Sequence, residues 1–176
     1  VLRSSREENQ EQNMQIRDAV EADLPAIVAI YNMAVPCQIV TADLEPVSVE
    51  SRLHWFYEHT PGKRPLWVAE VRGEVVGWLG LQWFYSGRPA YHATAELSIY
   101  IDAAYQQQGI GQQLLEWAIQ HCPSLGITTL LGFIFADNKP SLHLFEKFGF
   151  EQWGCLPRVA EFEQGKRDLV IVGRKV

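Results

Sequence analysis

The chain has 176 residues, 47% of them hydrophobic and including six Trp, six Tyr and eight Phe, which is enough to fill the core of one domain. Its 15 basic and 21 acidic residues give a formal charge of −6 without a Lys/Arg cluster, which excludes nucleic acid as the expected partner. No stretch reaches the roughly 18 apolar residues of a membrane span and no signal-peptide pattern opens the chain; Cys37, Cys122 and Cys155 are odd in number and lack zinc spacing. The expectation is a cytoplasmic protein with reduced thiols, no metal and no membrane contact.

Residues 1–13 carry only two aliphatic side chains and no periodicity, so they are expected to form a disordered tail ahead of a single domain spanning 14–176. MQIRDAV from Met14 reads as a strand. Glu21-Ala22-Asp23 then opens a helix running through Val35, with Leu24, Ile27, Val28, Ile30 and Tyr31 on its buried face. Residues 36–46 lack a period and read as a loop, and Ser48 caps a second helix carrying Leu53, Trp55 and Phe56. LWVAEV and EVVGWLGLQWFY flank Arg72-Gly73 as a hairpin, and Ser86-Gly87-Arg88-Pro89 turns into the strand TAELSIYI.

Beyond this point strands and helices alternate: strand 94–101, helix 110–121, strand 127–135, helix 139–147, then strands 150–156 and 168–174. Hairpins before and alternation after predict an α/β (α+β) domain, a mixed sheet with helices on both faces.

Between the strand ending at Ile101 and the helix QQLLEWAIQH lies Gln106-Gln107-Gln108-Gly109-Ile110-Gly111. Successive amide N–H groups and a positive helix end converge there, which suits an anion, and the glycines remove Cβ atoms where a diphosphate approaches the backbone. A GxG that only permits a tight turn is the alternative. The full dinucleotide fingerprint and the Gly-Lys-Ser/Thr of a triphosphate loop are both absent.

Gln106-x-x-Gly109-x-Gly111 after a strand resembles the Gln/Arg-x-x-Gly-x-Gly/Ala motif of the GCN5-related N-acetyltransferase (GNAT) superfamily. AELSIYIDAAYQQQGIGQQLL, FADNKPSLHLFEKFGFEQWG and EFEQGKRDLVIVGRK resemble its phosphinothricin and methionine sulfoximine acetyltransferase branch, over residues 14–176. The resemblance implies a mainly antiparallel sheet of six to seven strands and transfer of an acetyl group from acetyl-CoA to the amine of an amino acid or analogue. It also implies a homodimer.

By the same resemblance, Ile99, Tyr100 and Ile101 would bind the pantetheine arm through their backbones. Gln107, Gln108, Gly109, Ile110, Gly111 and Gln112 would hold the pyrophosphate, and Asn138 and Lys147 would touch the coenzyme. Asn138 also suits a plain N-cap and Lys147 a dipole-complementing helix end. Gln106 and Gln108 bring no positive charge where Arg and Lys are common in the family.

Glu96 stands where the branch has its proposed base, although a solvent-facing strand glutamate has the same pattern. Phe145 replaces the Tyr that many members use as acid. A water, unassisted thiolate departure, Tyr91 or His143 remain open for that role. Arg88, Pro89, Ala90 and Tyr91 occupy the acceptor stretch: Arg88 suits a carboxylate or phosphinate and Tyr91 a pocket wall, with a solvated turn arginine and a core tyrosine as alternatives. Asp43 lies where phosphinothricin enzymes tend to carry Arg, which opens the reading of a cationic amine as acceptor. A non-catalytic acyl-CoA-binding module is the competing class.

Overall fold

A computed structural model describes residues 14–176; the tail expected at 1–13 lies outside the described residues. Seven strands form one sheet: β1 (Met14–Asp18), β2 (Leu66–Val71), β3 (Glu74–Trp83), β4 (Thr94–Ile101), β5 (Thr129–Phe135), β6 (Glu151–Phe162) and β7 (Gly165–Lys175). Their order is β1-β2-β3-β4-β5-β7-β6, and β4–β5 is the one parallel pairing. The helices are α1 (Leu24–Ala34), α2 (Val49–Glu58), α3 (Ile110–His121) and α4 (Lys139–Lys147). This is the mixed, mainly antiparallel architecture expected.

Alternation along β4 divides the molecule. Ala95 and Leu97 face a core with Leu79, Leu81, Leu114, Leu115, Leu130 and Phe145, beneath α3 and α4. On the opposite face, Leu24, Ile27, Val28 and Ile30 of α1 pack with Leu66, Val68 and Trp78, against which Tyr100 lies. Trp78 pins α1 to the sheet by donating its indole N–H to the Ile27 carbonyl at 3.1 Å. Ser48 caps α2 as expected, accepting from the Ser51 amide at 3.1 Å.

Several strand ends shift by two residues from expectation, and two elements differ by more. Residues 21–23 form a 3-10 turn before α1, whose regular part ends at Ala34, with Val35–Cys37 as a second 3-10 turn. The final hairpin is longer than expected, because Pro157 does not end its strand. Pairing jumps from Leu156–Leu169 to Ala160–Arg167, so residues 157–159 bulge around Asp168. The Arg158 amide donates to Asp168 Oδ1 at 2.8 Å, and a proline in such a bulge has no ladder N–H to lose.

Candidate active site

The β4–β5 ladder is short. Only Thr94–Thr129, Ala95–Leu130 and Glu96–Leu131 pair, after which the two strands part, β5 held by β7 along its whole length and β4 by β3 to Ile101. The Asp102 amide donates to the Val76 carbonyl, so even-numbered residues of β4 aim their backbone at β3. Ile99 and Ile101 therefore aim theirs at the side from which β5 has parted, an edge with no strand partner, where a side chain, Gln106, reaches the Ile101 carbonyl. Tyr100 does not share this role, because its backbone faces Trp78. Its ring is what it contributes, stacked on Trp78 at 4.8 Å between centroids.

The gap is a cleft lined by Leu97, Ser98, Ile99, Gly132, Asn138 and Phe145, with Val40 from the loop before α2. At Gly132 a Cβ would lie 2.8 Å from Phe145 Cε1, so the missing side chain leaves room for the phenyl ring. That ring is buried and also meets Phe150 edge-on at 4.9 Å. A core aromatic thus fills the position where a phenol was expected from the resemblance. Asn138 Oδ1 caps α4 by accepting from the Ser141 amide at 3.2 Å, while its Nδ2 donates to no described protein group. Asn138 is therefore an N-cap and a lining residue of the cleft at once.

Above the cleft, the loop and first turn of α3 present their amides. The Gln113 amide is the first to find a carbonyl in the helix, Gly109's at 3.1 Å, which leaves those of Ile110, Gly111 and Gln112 directed outward. Gly109 has φ +81°, a conformation that costs any side chain, and open space lies beyond its Cα. Gly111 lies where α3 meets α4: a Cβ there would stand 3.4 Å from Leu144 Cδ2, an ordinary contact.

The uncharged glutamines shape the loop. Gln107 has φ +60°, Gln106 Nε2 reaches the Ile101 carbonyl at 3.5 Å, and Gln108 Nε2 donates to the Ala104 carbonyl at 3.3 Å. Positive charge comes instead from Lys147, whose Nζ donates to Gln112 Oε1 at 2.9 Å.

Glu96 sits at the point where β4 and β5 part. It is half-buried and makes no hydrogen bond among the described residues; burial raises its pKa above the ordinary carboxylate range. Its side chain shares a face with Ser98 and Tyr100, opposite Gln82 of β3. On that face a second cavity of about 190 Å³ opens, walled by Ile27, Val28, Val47, Trp55 and Trp78. Its polar lining is Tyr31, Arg52, Gln82, Ser98 and Tyr100. Ser98 and Tyr100 line the cleft as well, so β4 is the common wall of both.

Sequence reasoning missed how this second cavity is closed. Arg52 Nη2 donates to Asp43 Oδ2 at 2.9 Å, and the Tyr31 hydroxyl also donates to that carboxylate while bonding Thr41 Oγ1. Asp43 is thus engaged by a cation and a phenol. The only signal in the sequence was an acidic residue ahead of a helix carrying an arginine.

Arg88, Pro89, Ala90 and Tyr91 form an exposed turn that does not line this cavity, with Tyr91 packed on Phe84 and Tyr85. His143 is exposed on α4 and lines neither space. The turn is anchored by Arg64, which is 2% exposed and donates to the His92 and Thr94 carbonyls at 2.8 and 3.2 Å, its guanidinium 3.8 Å from the Trp83 ring.

The pattern of the Acetyltransferase (GNAT) family matches residues 27–150. YwnH of Bacillus subtilis (strain 168), provisionally named a phosphinothricin acetyltransferase, is 51% identical over 164 residues, covering 93% of this chain and 99% of that protein. An L-methionine sulfoximine/L-methionine sulfone acetyltransferase of Pseudomonas aeruginosa is 34% identical over 149 residues, covering 83% of this chain and 85% of that protein. The crystal structure of a phosphinothricin acetyltransferase from Sinorhizobium meliloti in complex with acetyl-CoA superposes with a TM-score of 0.86 at 29% identity, over 93% of this chain and 89% of that one. With about half its residues shared along nearly its whole length with one such protein, and the family pattern running from α1 to Phe150, the chain belongs to the GNAT acetyltransferase family, in its phosphinothricin and methionine sulfoximine acetyltransferase-like branch.

Proposed function

We propose that this chain transfers the acetyl group of acetyl-CoA directly to the amine of a small amino acid or analogue, with Glu96 as general base. The observation that carries this reading is the double role of Ser98 and Tyr100, which places a cleft along the edge of β4 and a cavity on its face within reach of each other.

The residues of the cleft fit the coenzyme. Ile99 offers both its peptide groups and Ile101 its N–H to an extended amide-bearing arm, as a missing strand would find them. Asn138 adds a free amide N–H pair. The amides of Gln107, Gln108, Gly109, Ile110, Gly111 and Gln112, with Lys147 beside them, suit a pyrophosphate at a helix N-terminus. Bound acetyl-CoA supplies the thioester; the Sinorhizobium enzyme holds the same molecule.

Glu96 accepts a proton from the acceptor ammonium, directly or through a water, and frees the nitrogen lone pair. Its raised pKa makes it a better base than an exposed carboxylate. The Ile99 N–H donates to the thioester oxygen as charge develops there. The C–N bond forms, the C–S bond breaks, and the departing sulfur takes up one proton. Burial pushes the Tyr100 phenol well above its ordinary range, so this hydroxyl on the shared wall stays protonated. Ser98 and Ser141 carry the other hydroxyls of the cleft.

The relatives named for methionine sulfoximine and phosphinothricin guide the acceptor panel. Incubation with acetyl-CoA and L-methionine sulfoximine, L-methionine sulfone, phosphinothricin, unmodified amino acids and simple amines is expected to release free CoA with at least one amino acid. Release with none of them, alongside tight acetyl-CoA binding, identifies a non-catalytic binder, the reading that Phe145 favours. Homodimerisation is part of the proposal and is tested by sedimentation.

A further inference from the structure

We propose that Arg52 is the receptor for a carboxylate on the acceptor, with Asp43 and Tyr31 holding its guanidinium in place. The proposal rests on reading the cavity over β4 as the acceptor site. Arg52 is the one formally charged residue among those lining that cavity; the rest are apolar or neutral. The cavity's other walls, Trp55, Trp78, Ile27, Val28 and Val47, carry no charge, so Arg52, its side chain 29% exposed, is where an anion can pair. Its ligand is therefore selected for one negative group.

The guanidinium has donors to spare. Nη2 serves Asp43, but Nε and Nη1 donate to no described protein group. Two remaining N–H directions suit a carboxylate, and the flat fork restricts the angle at which it binds. Asp43 does not line the cavity and already accepts from Tyr31 and Arg52, so it works as a brace. The guanidinium also lies 5.1 Å from the centre of the Tyr31 ring, which limits its swing. A cationic acceptor drawn to Asp43 would first have to displace Arg52.

The cavity is also polarised. Tyr31, with Arg52 beside its ring, meets Tyr100, whereas Gln82 stands opposite Glu96 four residues back along β4, with Ser98 between. An acceptor bearing both ammonium and carboxylate is oriented by the two ends together, its amine toward Glu96 and the cleft. Arg88, which suits a carboxylate or a solvated turn by sequence alone, stands in the exposed turn away from this lining.

The test compares an acceptor acid with its own carboxamide in wild type, Arg52→Met, Arg52→Lys and Asp43→Asn. CoA release gives kcat and KM. Intrinsic tryptophan fluorescence, to which Trp55 and Trp78 in the cavity wall contribute, gives acceptor binding without any chemistry. For Arg52→Met, kcat/KM for the acid is expected to fall about 10- to 100-fold, mostly through KM, with the carboxamide changed less than about threefold. Arg52→Lys should recover part of the loss, and Asp43→Asn should retain preference for the acid.

Equal losses for acid and carboxamide would overturn the proposal in favour of a purely structural Arg52, and so would an unchanged preference in Arg52→Met. If wild type acetylates no amine, the transferase reading fails, yet the fluorescence arm still decides on Arg52. Acid binding that Arg52→Met abolishes supports the receptor; acid binding that survives rejects it.

Discussion

The cleft along the edge of β4 and the cavity on its face share two residues but are built from different material. The cleft and the loop above it offer mainly backbone: the edge peptide groups of Ile99 and Ile101 and the outward amides of Ile110, Gly111 and Gln112, placed by a strand that diverges after Glu96. The cavity is made of side chains from α1, α2, β3, β4 and the loop before α2, and its charged end is set by three separate segments, with Tyr31 and Arg52 meeting at the carboxylate of Asp43. A backbone site tolerates many side chains and keeps its ligand. A side-chain site changes its ligand with one substitution. Damage to the cleft should therefore affect acetyl-CoA alike for every acceptor, whereas damage to the cavity should reorder the acceptors.

The largest expected effect lies where the two spaces meet. Glu96→Gln should lower kcat by about 10²- to 10⁴-fold while leaving acetyl-CoA affinity within about twofold, as steady-state and calorimetric measurements would show. Wild-type kcat/KM should rise with pH as Glu96 ionises, along a limb above the ordinary carboxylate range, and this limb should vanish in the variant. Burial raises the folded-state pKa above the unfolded one, so the stability Glu96 contributes is complete at low pH and lost as pH rises through the raised value. Glu96→Gln should then melt at or above the wild-type temperature at neutral pH. A lower Tm together with lost activity would make Glu96 a structural residue.

Next in size comes Gly109→Ala, which asks a side chain to adopt φ +81° at a cost of about 1–2 kcal/mol. Either the loop pays that strain or its amides move. KM for acetyl-CoA should rise about tenfold, by the same factor with every acceptor. A factor that differed among acceptors would mean that the loop also shapes the cavity, and the division between the two sites would fail.

The cleft was legible in the sequence because its parts are local. One strand, one loop and one helix are contiguous from Thr94 to His121, and glycine at positive φ leaves a mark that sequence preserves. The splay itself was not visible, because it depends on where β5, held by β7 along its whole length, parts from β4, a long-range choice. It decides which of Ile99, Tyr100 and Ile101 face the cleft.

The cavity was legible only in pieces. Asp43 drew attention as an unusual acid, but its partners stand 9 and 12 positions away and no period links them. Arg64 was invisible for another reason: an arginine is seldom fully buried, and pattern reading places it in solvent. It is nevertheless the brace between residue 64 and the start of β4. The strand expected over 150–156 runs on to Phe162, because Pro157 falls in the bulge opposite Asp168, where no ladder N–H is needed.

Lys147→Ala carries the smallest expected effect and separates two readings of the same residue. An exposed ammonium at the end of α4 complements that helix's dipole wherever it points, and its loss would then lower Tm slightly without touching substrate kinetics. Its bond to Gln112 Oε1 gives it a direction, across to the first turn of α3, where three amides point outward and the neighbouring glutamines bring no charge. A cation there attracts a phosphate through water. The expected result is a two- to fivefold rise in KM for acetyl-CoA, about the size of an exposed ion pair, that shrinks as salt is raised to about 0.5 M and is the same for all acceptors. A shift in Tm with KM unchanged would leave the cleft relying on backbone amides alone, the sharpest form of its contrast with the Arg52 cavity.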